Sequence, residues 1–391
     1  MFKIGFDTSA LDISFKAHAQ RGIGRYVREL KNFFETTEKN GLDVEFFDYT
    51  FIKSPRVTEK IFDLIPVGRQ TLKQQLYYPL MYRGKKFSDF NFLHFPAQMD
   101  VPSWSMKHYV LTVLDLIPLV CRDMYEADRP GLKFKFARWL EIQAIKNASL
   151  IIAISENTAK DVNKILGVPE DRILVTPLGV GAEFFKEASP AEMEAVRRKY
   201  ELPLEQKIVL YVGGIDQRKN IEGLIKSFKT LVGMSREKES SSPMLVLAGN
   251  IQNDRQYPRL LSLISEHALD ELVKPLGYVP DKELSALYAT SAVFFFPSLY
   301  EGFGLPPLEA MAAGTPVVSS NTSSMPEVLS GAAALVDPGD YLQAAREMSS
   351  VLENSEHAKN MSKLGQKRAA EYTWERTGVK TLEAYKKAVA I

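Results

Sequence analysis

This sequence predicts an α/β architecture with two doubly wound, Rossmann-like domains facing a cleft. Three observations carry the prediction. Short apolar, β-rich runs alternate with helical patterns along all 391 residues, which is the mark of parallel sheets wrapped by helices. That length suits two domains of ordinary size. The residues best equipped for chemistry also fall at the carboxyl ends of expected strands, where open α/β sheets bind their ligands.

In the first half the apolar runs place strands at Lys3–Thr8, Val44–Phe47, Phe92–Phe95, Val110–Asp115, Leu150–Ser155 and Ile173–Pro177. In the second half they fall at Ile208–Gly213, Met244–Gly249, Val273–Val279, Ala292–Pro297, Thr315–Ser319 and Ala333–Val336. Between the halves Lys186–Gln206 is charged and helical in pattern, with Pro190 and Pro203, so a boundary is expected near Phe185. The expected domains are residues 1–185 and 186–371, followed by a helical tail, 372–391, that holds Tyr372, Trp374 and Tyr385.

Composition narrows the function classes. Hydrophobic residues make up 45% and charged residues 25% of the chain, ordinary proportions for a globular protein. A net charge of +1 argues against nucleic acid as a partner. Cys121 is the single cysteine, so no internal disulfide can form, which suits a reducing, cytoplasmic setting. No run has the apolar length of a transmembrane helix, and the start Met-Phe-Lys-Ile-Gly-Phe-Asp reads as a first strand rather than a signal peptide. The charge is uneven. Residues 51–150 hold 15 Lys and Arg against 9 Asp and Glu. Arg83, Lys85, Lys86, Lys133, Lys135 and Arg138 are interleaved there with Tyr77, Tyr78, Tyr82, Phe134, Phe136 and Trp139. Such a surface fits peripheral contact with an anionic membrane and a lipid-linked acceptor. It fits equally a solvated face over an aromatic core.

The most informative stretch is Pro297-Ser-Leu-Tyr-Glu-Gly-Phe-Gly-Leu-Pro-Pro-Leu-Glu309. An apolar strand feeds a glycine-containing turn, and Pro306 or Pro307 is expected to start a helix. The turn residues Gly302, Phe303, Gly304 and Leu305 then present backbone N–H groups ahead of a helix N-terminus, an arrangement that binds anions and hydroxyl-rich ligands. Glu301 lies before the turn and Glu309 about one turn into the helix, so both carboxylates can accept hydrogen bonds from the vicinal hydroxyls of ribose and hexose.

Other strand ends add to this. Tyr211-Val-Gly-Gly-Ile-Asp-Gln-Arg-Lys-Asn220 places Gly214 beside Arg218 and Lys219, a flexible backbone with a donor fork and a point charge that suit a diphosphate. Leu276-Gly-Tyr-Val-Pro-Asp-Lys-Glu-Leu284 turns from strand to helix at Tyr278 and Val279, with Asp281 as the expected N-cap. Gln20-Arg-Gly-Ile-Gly-Arg-Tyr26 follows the first strand, and Gly22 and Gly24 allow close approach of backbone to a ligand. Asp115 and His94 each end a strand of the first half and are candidates to contact an acceptor or sugar. Ser155 ends another, where a helix cap and a place near the cleft are compatible readings.

The run P-S-x-x-E-G-F-G-L-P-x-L-E-A-M-A-x-G-x-P-V-V, from Pro297 to Val318, resembles the donor site of the retaining glycosyltransferases of family 4, which have the GT-B fold. The segment Arg21–Tyr26 is similar to that of the family's bacterial polysaccharide members. The resemblance implies that Glu301 holds donor-sugar hydroxyls and Glu309 clamps the ribose. It implies that Lys219 and Arg218 neutralise the departing diphosphate, and that backbone at Tyr278 and Val279 meets the base. It also implies that the C-terminal helix crosses back onto the first domain. The expected reaction moves a hexose from a UDP-glucose or GDP-mannose type of donor to a glycan or lipid-linked acceptor in cell-surface polysaccharide synthesis. Two departures stand out. Leu114 replaces a usual His that touches the transferred sugar, and Gly214 stands where many relatives carry Arg, a loss Arg218 is placed to offset. The chain has no Asp-x-Asp, so neither a metal nor any other cofactor is expected, the cations doing the metal's work. The alternatives are a sugar-nucleotide epimerase of the same architecture and a non-catalytic nucleotide-sugar-binding homologue.

Overall fold

The computed structural model describes residues 2–11, 22–38, 41–48, 85–98, 101, 108–126 and 132–390. The chain forms two compact units. One runs through Leu178 and takes in Trp374 onward, and the other is Gly179–Thr373.

The first unit is built on a six-stranded sheet in the order β2-β1-β3-β4-β5-β6, with every pair parallel. Its strands are β1 Phe2–Asp7, β2 Leu42–Phe47, β3 Phe92–Phe95, β4 Tyr109–Val113, β5 Leu150–Ala153 and β6 Ile173–Val175. The central strands β3, β4 and β5 are buried throughout, as expected for strands covered on both faces. The helix Trp374–Val389 packs on this unit. Thr377 Oγ1 donates to the Pro177 carbonyl at 2.8 Å, and the Tyr385 ring stacks on Phe34 at 5.7 Å.

The second unit carries its own parallel sheet in the order β12-β11-β10-β7-β8-β9. Its strands are β7 Ile208–Val212, β8 Met244–Ala248, β9 Val273–Gly277, β10 Val293–Phe296, β11 Val317–Ser320 and β12 Ala334–Val336. The order reverses between β7 and β10, so the loops leaving the carboxyl ends of these two neighbouring strands lie at the point where open α/β sheets bind their ligands. Gly249 follows β8 with φ +149°, and a Cβ there would collide with the Gly213 carbonyl, so glycine alone lets the loops after β7 and β8 begin side by side.

All twelve expected strands are present, but several stop short of their expected ends. β4 ends at Val113, β5 at Ala153 and β9 at Gly277. Beyond β4 and β5, Asp115 and Ser155 leave the ladder and accept from the N–H groups of the following helical turns. The boundary expected near Phe185 lies earlier, at Leu178/Gly179. The turn Ala182–Phe185 belongs to the second unit because Phe184 is fully buried against Tyr288 at 5.9 Å. The Ser285 hydroxyl also donates to the Glu183 carbonyl. The other crossing sits beside it, where Val180 pairs with Thr373. The charged connector contains the helix Pro190–Lys199, opened by a capping box of Ser189 and Glu192. No helix among the described residues is long and apolar enough to cross a membrane.

Candidate active site

In the second unit the loops after β7 and β10 meet. The β7 loop ends in a 3-10 turn, Gln217–Lys219, and Asn220 then adopts a left-handed backbone with φ +55°, a conformation asparagine tolerates. Its side chain joins three segments. Oδ1 caps the helix Ile221–Glu237 by accepting from Gly223 N–H, and Nδ2 donates to the carbonyls of Pro297 and Pro338. The Leu299 N–H donates to the Arg218 carbonyl at 2.7 Å. Backbone and cap together place Arg218 and Lys219 against the β10 loop.

The result is a compact ionic cluster. Arg218 donates from a terminal nitrogen to Glu301 Oε2 at 2.7 Å, and Lys219 Nζ donates to Oε1 at 2.6 Å. Arg218 also bridges to Asp216 at 3.1 Å, and Lys219 Nζ lies 4.8 Å from the centre of the Phe296 ring. Lys219 is 7% and Glu301 8% exposed. Burial works to raise the Glu301 pKa, but the charges of Lys219 and Arg218 outweigh it and hold the carboxyl below the usual carboxylate range. The buried Ser298 hydroxyl beside it adds to the effect, although its geometry falls short of a regular hydrogen bond. Lys219 moves down from the ordinary amine value, chiefly by burial, with Glu301 opposing and the neighbouring Arg218 cation adding to the fall. Two cations share one buried carboxylate, so the carboxylate stays charged and the lysine holds its proton less tightly than a free amine.

The turn after Glu301 is built as a helix entry. Gly304 is the N-cap at φ +99°, where a Cβ would collide with the Met325 side chain. The helix runs Leu305–Ala312 and so begins one residue before Pro306. Gly302, Phe303 and Gly304 are buried and Leu305 half-buried. Phe303 packs edge-on against Tyr372 at 5.7 Å. Glu309 is 5% exposed, with the Tyr288 hydroxyl 3.2 Å from its Oε2. Gly214 accepts the Tyr211 hydroxyl through its carbonyl. Beyond β9, Tyr278 is 65% exposed and Val279 buried. Pro280, not Asp281, is the N-cap residue of the next helix, which begins at Asp281.

One set of residues at this site was not singled out from the sequence. The run Ser319-Ser-Asn-Thr-Ser-Ser324 ends β11, the neighbour of β10, and continues into the loop beyond it. Its hydroxyls frame the Glu301 loop. Ser320 donates to the Ser298 carbonyl at 2.6 Å, and Thr322 to the carbonyls of Ser298 and Leu299. Ser324 donates to those of Glu301 and Phe303. The available signal was a run of hydroxyls just past an apolar strand, where backbone carbonyls of an adjoining loop need donors.

In the first unit the expected residues sit on different elements. Gly22 opens the helix Gly22–Thr36 and is exposed, and Gly24 is buried within its first turn. Gln20 and Arg21 lie outside the described residues, as do Tyr77, Tyr78, Tyr82 and Arg83. Asp115 is half-buried and accepts from Ile117 N–H at 3.1 Å, at the entry to the short helix Ile117–Val120. Ser155 is the N-cap of the helix Glu156–Leu166, accepting from Thr158 N–H, and is 1% exposed.

His94 corrects an expectation. It has no exposed surface, its Nδ1 lies 2.6 Å from the Tyr385 hydroxyl, and its Nε2 lies 2.9 Å from Thr112 Oγ1. The Tyr26 hydroxyl completes the group at 3.0 Å from the same Thr112 oxygen. Burial pushes the His94 pKa down to about 3, so the ring is neutral. Both ring nitrogens face the protein interior, and His94 is not an acceptor or sugar contact.

Comparison with known proteins gives the family and the fold. Residues 21–184 match the family described as Glycosyltransferase Family 4, and residues 192–368 match Glycosyl transferases group 1. The chain is 29% identical to O-antigen chain mannosyltransferase B of Escherichia coli over 86% of its own length and 82% of that protein. It is 33% identical to the serotype-specific mannosyltransferase WbdA of Escherichia coli over 69% of its own length, but this spans only 32% of the relative. A solved sucrose-phosphate synthase from Thermosynechococcus elongatus shares the fold, with a TM-score of 0.73 at 20% identity and full coverage of both chains.

Proposed function

The chain belongs to glycosyltransferase family 4, with the GT-B fold, and from that premise we propose that it transfers mannose, with retention, from a nucleoside diphosphate mannose to a hydroxyl of a cell-surface glycan. That the protein is a glycosyltransferase rests on its family. The choice of mannose, and so of a GDP-mannose type of donor over UDP-glucose, draws support from the mannosyltransferases it resembles. The observation that carries the reading is the Glu301 carboxylate held between Arg218 and Lys219 at the reversal point of the second sheet.

In this reading Glu301 accepts hydrogen bonds from donor-sugar hydroxyls, Glu309 clamps the ribose, and the N–H groups from Gly302 to Leu305 meet sugar and phosphate. Backbone at Gly214, Tyr278 and Val279 lines the nucleotide, and Gly22 and Gly24 approach the diphosphate. The bond from the anomeric carbon to the diphosphate oxygen breaks as the acceptor oxygen attacks the same face, and the acceptor proton passes to the departing phosphate. Negative charge grows on that phosphate. Arg218 and Lys219 are preorganised beside it, so their attraction strengthens towards the transition state and lowers the barrier. Asp115 orients the acceptor hydroxyl. The cations supply what a metal would, so addition of EDTA leaves the rate unchanged; a loss restored by magnesium overturns the metal-free reading.

The acceptor side is read from the helix Leu132–Asn147. Phe136 and Trp139 are 56% and 53% exposed and stack at 5.9 Å, beside the exposed Lys135. An aromatic pair next to a cation suits a headgroup layer, which supports the reading that the protein works at the cytoplasmic face of an anionic membrane, near a lipid-linked acceptor. Flotation with anionic vesicles tests this, and absence of co-flotation sinks it.

The function itself is tested by calorimetry with UDP, GDP, dTDP and ADP, each with and without its hexose. Selective binding of GDP-mannose supports the reading and selective binding of UDP-glucose moves it to glucose. Donor consumed to an epimer without acceptor makes the protein an epimerase, and binding with no turnover on any acceptor makes it a non-catalytic homologue.

A further inference from the structure

Ser323 stands out within the hydroxyl frame. The other hydroxyls of that run donate to carbonyls, whereas Ser323 Oγ accepts the Glu301 N–H at 3.0 Å. Its backbone is left-handed, with φ +51°. A serine side chain is strained there and a glycine is not. The strain is offset where the side chain makes a contact that glycine could not, and here that contact is to Glu301. The topology explains the contact. β11 lies beside β10, so the loop after β11 runs next to the loop that carries Glu301. The left-handed turn swings the Ser323 hydroxyl onto the one backbone N–H that fixes where the Glu301 side chain begins.

We infer that Ser323 is a positioning residue for Glu301, setting the carboxylate between Arg218 and Lys219 and so in register with the donor sugar; this rests on the donor-site reading above. It makes no contact with substrate in this role and acts through the Glu301 backbone. Removing the hydroxyl therefore weakens recognition of the sugar and leaves recognition of the nucleotide alone.

Ser323→Ala and Ser323→Gly separate position from stability. Both lose the hydroxyl, but only glycine relieves the backbone, so the glycine variant melts higher than the alanine one. Calorimetry of each with a bare nucleoside diphosphate and with its sugar conjugate gives the deciding ratio. In both variants affinity for the bare nucleotide stays within about twofold of the unsubstituted protein, while affinity for the conjugate falls about tenfold, some 1.4 kcal/mol. Wild-type affinity for the conjugate in Ser323→Gly, or an equal loss for both ligands, overturns the inference. If the unsubstituted protein binds no sugar conjugate, the donor reading fails on its own account. A crystal structure of Ser323→Gly then decides: a Glu301 carboxylate withdrawn from Arg218 and Lys219 supports the positioning role, and one that has not moved overturns it.

Discussion

Two buried polar groups, one in each unit, differ in charge. In the second unit Glu301 is ionised between two cations. In the first, His94, Thr112, Tyr26 and Tyr385 form a neutral network. A buried ion pair gains little net stability once both charges have been stripped of water, yet breaking it is costly. Such a pair makes sense where a ligand can rearrange it, and it lies on loops at the reversal point of the sheet. A neutral network whose members are saturated by one another offers a ligand nothing. It links β3, β4, the helix Gly22–Thr36 and the C-terminal helix, and its role is to set how they pack. Burial of a polar side chain therefore does not by itself mark a site. Net charge, and whether the group lies on loops or within the sheet and helices, separate the two.

The largest expected effect breaks the ionic group. Glu301→Gln lowers kcat/KM by about 10²–10³, the scale for loss of one preorganised electrostatic partner. Initial rates on a protein verified as folded check it, and a variant within threefold of the parent removes Glu301 from the mechanism. The same change in the neutral group behaves oppositely. His94→Ala leaves the Tyr385 hydroxyl without its His94 partner at about 1–3 kcal/mol, Thr112 keeping the Tyr26 hydroxyl, while kcat/KM stays within about threefold below the melting transition. The three tryptophans, Trp104, Trp139 and Trp374, all lie in the first unit's stretch of chain, so their fluorescence in urea reports that loss.

The two groups also part on acidification. The folded His94 pKa of about 3 lies below its ordinary 6.5, so below 6.5 only the unfolded chain takes up the proton. The first unit then loses about 1.4 kcal/mol per pH unit as pH falls from 6.5 towards 3. The folded Glu301 pKa is also depressed, from an ordinary 4.5. Its contribution is complete above 4.5 and is lost only as pH drops below that through the folded value. Between pH 6.5 and 4.5 these two groups thus weaken the first unit alone. Hydrogen exchange in β3 and β10 at pH 7 and pH 5 measures this, and equal change in both strands contradicts it. The smallest effect is Tyr385→Phe, which removes one hydroxyl from His94 Nδ1 and costs about 1 kcal/mol, read from the same fluorescence transition.

Much of this was legible in the sequence. The twelve strands were readable because buried parallel strands are continuous apolar runs, and β7, Ile208-Val-Leu-Tyr-Val212, is typical. Glu301 stood out because the Pro297–Val318 run is long and specific, and Arg218 and Lys219 because they close the glycine-containing turn of Tyr211–Asn220. His94 was misread because Phe92-Leu-His-Phe95 looks the same whether the imidazole faces a crevice or a tyrosine 291 positions away. Ser323 was passed over because a left-handed serine leaves no mark in residue order. The boundary was placed late because Phe184 reads as part of an apolar tail until Tyr288 is seen beneath it.

Residue order alone settled the alternation of strand and helix, the family, and the identity of the charged groups. These follow from local periodicity and from contiguous motifs, and both are written within a few tens of residues. Strand order, the reversal between β7 and β10, and the pairing of Glu301 with Arg218 and Lys219 across more than 80 positions were decided only by the folded chain. So was the closure of His94 by the C-terminal helix. Contacts of that span depend on which strands become neighbours and on where each loop leaves its sheet, and neither is encoded by any one stretch of sequence.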